Sequence, residues 1–185
     1  MKAVGPTLLS QWELGKICAE QLIAVAEKDM RVKHKGIRKD SWGKGTNDAF
    51  VIWLLSQAYE IPTHYQPVRP FVEPYRQLLD VWRTTDIAVF QAAMQAAAEF
   101  HIQRSKAGGA GKSRYEFEDV FDVVYPGELL AVQTLRRREG LPEFAANHVL
   151  VDTPWSLLRD LPDCEPHPLA VEAEQRLKQD FPSFR

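Results

Sequence analysis

The chain has 185 residues, of which 45% are hydrophobic and 26% charged, and its formal net charge is −2. A chain of that length buries about 70% of its unfolded surface and holds a core without disulfide or metal staples. The near-balance of charge excludes bulk attraction to nucleic acid or to an anionic membrane, so a charge-driven role has to come from local patches.

The two cysteines, Cys18 and Cys164, form neither a CxxC pair nor a disulfide framework, and both read as small apolar residues of a reducing compartment. In the opening sixteen residues the apolar stretch is broken by Ser10, Gln11 and Glu13, which does not match a secretory signal. No window approaches the roughly 20 apolar residues that span a bilayer. A cytoplasmic, soluble protein is the expectation.

In chain order, residues 8–28 place Leu8, Trp12, Cys18, Leu22 and Val25 at helical steps, opposite Glu13, Lys16, Glu20 and Glu27. This predicts an amphipathic helix entered through Thr7. The basic connection 28–45 follows, with three glycines, Lys28, Arg31, Lys33, Lys35, Arg38, Lys39 and Lys44. Thr46 is the expected N-cap of a helix with Asp48 in its first turn and a Phe50, Trp53, Leu54, Ala58 stripe. The prolines of "IPTHYQPVRPFVEP" end it, and a short helix follows around VEPYRQLLDVW.

Asp86 is positioned to cap IAVFQAAMQAAAEFHIQR, whose apolar stripe holds Ile87, Phe90, Met94, Ala97 and His101. After a glycine-rich surface loop (105–115) and an acidic run, Pro126 opens GELLAVQTLRRREG. Arg136, Arg137 and Arg138 complement the dipole of its last turn, and Gly140 sits where a left-handed residue is wanted. Short helices are expected at WSLLRDL and at HPLAVEAEQRLKQDF. The latter offers Glu172 to Arg176 and Glu174 to Lys178 at i,i+4, with Leu169, Ala173 and Leu177 inward. Only "FDVVY" and "HVLV" are β-rich, and neither has a hairpin turn. The reading is an all-α single domain over 1–185, with about seven helices largely in antiparallel pairs.

Gly111-Lys112-Ser113 ends like a phosphate-binding loop, but Lys106 stands where the first glycine belongs, and a long helix stands where a strand is required. The linker-like composition of "SKAGGAGKS" predicts a surface loop. Among the five histidines none has zinc spacing and HExxH is absent, so neither a metal site nor a cofactor is expected. His101 reads as a packed histidine. The acidic run Glu116, Glu118, Asp119, Asp122, with Glu128 beyond it, lacks the calcium-loop pattern. It reads either as an amphipathic turn with one solvated side or as an acidic face for a basic partner.

"FDVVYPGELLAVQTLRRREGLPEF" followed by "HVLVDTPWSLLRDLP" resembles the C-terminal half of helical immunity proteins of bacterial polymorphic-toxin and type VI secretion effector systems. The resemblance is carried by Tyr125, Pro126, Glu128, Leu129, Leu130, Arg136, Gly140, Leu141, Pro142, Pro154 and Trp155, over about a quarter of the chain. It implies a non-enzymatic cytoplasmic protein that binds a cognate toxin and occludes its active site. Nuclease toxins have basic clefts and suit an acidic inhibitor face. On that footing the partner-binding residues are Tyr115, Glu116, Phe117, Glu118, Asp119, Asp122 and Glu128, with the aromatics as anchors. The alternatives are a metal-binding or enzymatic domain using His101 and the acidic run, and a weak nucleic-acid binder through residues 28–44, where Trp42 can stack on a base.

Overall fold

The computed structural model describes residues 4–31, 45–106, 115–153 and 167–182. Among them are nine helices: α1 (Gly5–Leu8), α2 (Trp12–Arg31), α3 (Asn47–Tyr59), α4 (Glu73–Val81), α5 (Ile87–Gln103), α6 (Val120–Val124), α7 (Gly127–Arg138), α8 (Val149–Asp152) and α9 (Pro168–Asp180). The described residues contain no strand, only an isolated parallel bridge between Ser105 and Phe117, and the fold is all-α. The number exceeds the expected seven because α1, α6 and α8 are single turns, too short to show a periodicity. Both β-rich runs are helical, α6 and α8. Each is started by a local cap, Asp119 accepting from Phe121 N and His148 from Leu150 N. The expected helix at WSLLRDL lies outside the described residues, as do most of the basic connection (32–44) and the middle of the glycine-rich loop (107–114).

The chain divides into two compact units, Met1–Trp155 and Ser156–Arg185. In the second unit α9 carries the expected Lys178–Glu174 pair at 2.6 Å, but Arg176 turns to Asp180 (3.5 Å) rather than to Glu172. Leu169 and Leu177, expected inward, are exposed.

In the first unit the predicted helix over 8–28 is broken in two. Ser10 adopts a left-handed conformation (φ 58°), and Ser10 N and Gln11 N donate to Thr7 O and Pro6 O, closing α1 by the same pair of bonds that usually recruits glycine. Thr7 is therefore no cap. Its buried hydroxyl shares a 2.9 Å hydrogen bond with Tyr59 Oη. The inward face of α2 also differs from the expected stripe: Gly15, Ala19, Ile23 and Ala26 are buried, Cys18 and Leu22 are half-buried, and Val25 is exposed. Small residues let α2 approach α3 closely. At Gly15 the requirement is strict, since a Cβ there stands 2.3 Å from Tyr59 Oη.

Local signals are obeyed elsewhere. Asp86 caps α5 by accepting from Ala88 N (2.9 Å) and Val89 N (3.1 Å). Gly140 (φ 68°) closes α7, with Gly140 N and Leu141 N donating to Arg137 O and Arg136 O. The core centres on Phe50, Leu54, Tyr75, Leu78, Trp82, Phe90, Met94 and Leu129, all at most 1% exposed. α7 packs against α1, α3 and α5, and residues 127–132 and 134–136 are buried. Two of those buried residues carry charge: Glu128 in the first turn and Arg136 near the last.

Candidate docking site on the acidic segment

The acidic segment begins where α5 ends. Glu116 N and Phe117 N both donate to Arg104 O (3.0 and 3.1 Å), and Lys106 N donates to Phe117 O (3.0 Å). These bonds fix the register of everything that follows. Glu116 turns inward: its Oε1 accepts from Thr46 Oγ1 (2.7 Å) and Asn47 N (3.2 Å). The cap of α3 thus comes from a carboxylate about seventy residues downstream instead of from Thr46, at the helix end where negative charge is favoured. Phe117, 3% exposed, stacks on the His101 ring with centroids 3.8 Å apart.

Past Phe117 the chain surfaces. Glu118 accepts from Tyr115 N (2.8 Å), Asp119 is exposed and starts α6, and Lys106 Nζ lies 5.4 Å above the Tyr115 ring. α6 exposes Val120 (72%), Phe121 (51%) and Val124 (51%), and Phe121 leans on Tyr125 at 4.8 Å. Asp122 is half-buried, and burial pushes its carboxyl pKa up, with Asp119 and Glu128 adding to the rise.

Beneath α6 lies a sealed polar network. Glu128 Oε1 accepts from His101 Nδ1 (2.7 Å) and from Tyr75 Oη (3.1 Å), and no residue of the three exceeds 4% exposure. Burial drives the Tyr75 hydroxyl well above its ordinary pKa, and the Glu128 carboxylate raises it further. Burial alone pulls His101 down. The hydrogen bond and charge of Glu128, with the Asp122 and Val123 carbonyls, outweigh it, and the net direction is up. The remaining ring nitrogen, Nε2, is buried without a hydrogen-bond partner, and the main-chain carbonyls of Asp122 and Val123 in α6 are near the ring.

The acidic face expected from the sequence is therefore only partly a face. Glu118, Asp119 and Asp122 stay at or near the surface, and Tyr115 is half-buried beside them. Glu116 is committed to α3, while Phe117 and Glu128 are interior. Sequence reasoning missed Val120, Phe121 and Val124 as exposed apolar positions. The available signal was "FDVVY" itself, an apolar run with no strand to pair with. His101 is packed, as expected for a histidine on an apolar stripe. Among the described residues no group of three His, Cys, Asp or Glu side chains is placed to hold a metal ion, and no helix is long and apolar enough to cross a membrane.

The opposite end of α7 is built differently. Arg136, 1% exposed, donates through Nη1 to Trp82 O and to Thr84 O (2.9 Å) and through Nη2 to Pro142 O (2.9 Å). Its guanidinium lies 4.3 Å from the Phe90 ring centroid and 5.1 Å from that of Phe144. Burial lowers its pKa, which Glu139 partly offsets. Nearby, an open concavity of about 700 Å³ is lined by Lys16, Tyr59, Glu60, Arg83, Arg138 and Glu139. Two of its cations are already committed: Arg83 bonds Glu139 and Gln57 O, and Arg138 bonds Ala58 O and stacks on Tyr59. They serve the carbonyls ending α3.

Compared with models of known protein families, with curated proteins and with solved structures, the chain matches none.

Proposed function

We propose that the chain is a binding module without enzymatic activity, an immunity protein that neutralises a cognate secreted bacterial toxin in the cytoplasm by covering its active site. The observation that carries this reading is the surface of α6. Val120, Phe121 and Val124 stand exposed beside Glu118, Asp119 and Asp122. Apolar side chains ringed by acids are the composition of a contact that anchors on aromatics and steers by charge. A nuclease toxin, whose substrate cleft is basic, fits that face best. The resemblance of residues 121–144 and 148–162 to helical immunity proteins supports the same reading.

The test is recovery of the tagged chain from its native bacterium, mass spectrometry of what co-purifies near one-to-one, and assay of the recovered effector with and without the chain. A toxin inhibited at equimolar ratio, with inhibition weakened about thirtyfold or more by Phe121→Ala, is the expected result. An effector that retains full activity in the complex overturns the reading.

A further inference from the structure

α6 lies close to a buried titratable side chain, that of His101. His101, wholly buried on α5, is stacked on Phe117, bonds Glu128 through Nδ1, and keeps Nε2 buried without a hydrogen-bond partner, with the Asp122 and Val123 carbonyls of α6 near the ring. Its titratable neighbours are Glu128 from α7, Tyr75 from α4 through that same carboxylate, and Asp122 from α6. With both ring nitrogens protonated, the imidazolium compensates the buried Glu128 carboxylate and its positive charge is favoured beside the α6 carbonyls. With Nε2 deprotonated, the ring loses the charge that the nearby carbonyls favour and the buried carboxylate loses its countercharge, each of which disfavours the closed packing.

We propose that residues 118–124 are a proton-controlled latch, seated on the His101–Glu128 pair while His101 is charged and lifting when His101 becomes neutral. The hydrogen bonds at Arg104 and Lys106 and the Glu116 contact to α3 hold the base of the segment, so the movement is confined to α6 and its cap. The upward shift of His101 sets the sign. A proton held more tightly in the closed form favours closure below the ordinary value of 6.5, and closure is lost as pH rises through the folded-state value. Its consequence for toxin binding, tighter on the acid side, rests on α6 being the docking face.

The experiment is hydrogen exchange on the free, full-length chain as a function of pH, corrected for intrinsic exchange. It reads Val123 N and Tyr125 N, which donate to Asp119 O and Phe121 O, against amides within α5 and α7. The expected result is a fall in protection at those two amides as pH rises, approaching tenfold per pH unit for one linked proton. The α5 and α7 amides should stay level, and Glu128→Gln should flatten the profile. Protection at Val123 and Tyr125 that does not change with pH overturns the latch, as does a loss shared equally by α5 and α7. No partner is present in this measurement, so failure of the toxin assay and failure of the latch are separate results.

Discussion

The two ends of α7 bury opposite charges by opposite means. At the N-terminal end Glu128 meets a histidine and a tyrosine, so its compensation is ionic and depends on a proton. At the C-terminal end the guanidinium of Arg136 has three carbonyl acceptors and two aromatic faces. Arginine stays charged at any ordinary pH, so this second centre is insensitive to titration. What each end holds differs accordingly. Arg136 ties α7 to the turn between α4 and α5 and to the loop at Pro142, all scaffold. The Glu128 network lies under α6, the surface proposed to meet a partner. The difference teaches that a buried charge is permanent or conditional according to whether its partners titrate.

The largest test of this contrast is Arg136→Ala, which strands one buried and two partly buried carbonyls and opens a cavity between Phe90 and Phe144. A loss of about 4 kcal/mol in urea unfolding, unchanged across pH, is expected. Next is Glu128→Gln, which keeps the volume and an acceptor but removes the charge beside His101. It should cost about 2 kcal/mol at acid pH. Wild-type stability should decline as pH rises from about 6.5, whereas this variant should show no such decline. Tyr75→Phe removes a single donor from Glu128 and is expected to cost about 1 kcal/mol. Glu116→Gln weakens the cap of α3 while leaving both ends of α7 intact. About 0.5 kcal/mol is expected, and a larger loss would tie the acidic segment to the scaffold more firmly than to the network below it.

How much of this was legible in the sequence depends on the range of the signal. Asp86 before α5 and Gly140 after α7 act on residues beside them, and both were read correctly. Ser10 closes α1 and Glu60, also left-handed (φ 55°), closes α3, in positions where neither residue type advertises that conformation. The inner face of α2 differs from the expected stripe because Tyr59 and Thr7 leave no room for a side chain at Gly15, and the buried face continues through Ala19, Ile23 and Ala26. Within the candidate site, the acids at the surface were visible but those turned inward were not. The partners of Glu116 are about seventy residues away and the His101 partner is 27 away. A clue was present all the same. His101 and Glu128 are polar residues set in otherwise apolar stripes, and two such residues are most economically satisfied by each other.

The main-chain bonds that join Arg104 and Lys106 to Glu116 and Phe117 have a consequence for engineering. They tie together the residues on either side from which any insertion between Lys106 and Tyr115 would depart, just before the start of α6. Lengthening such a stretch is cheap, about 0.6 kcal/mol per doubling of its length. A fluorescent reporter spliced in after Gly109 should therefore leave α6 in register and bring its signal next to the face proposed to contact the toxin, turning the inhibitor into its own binding sensor.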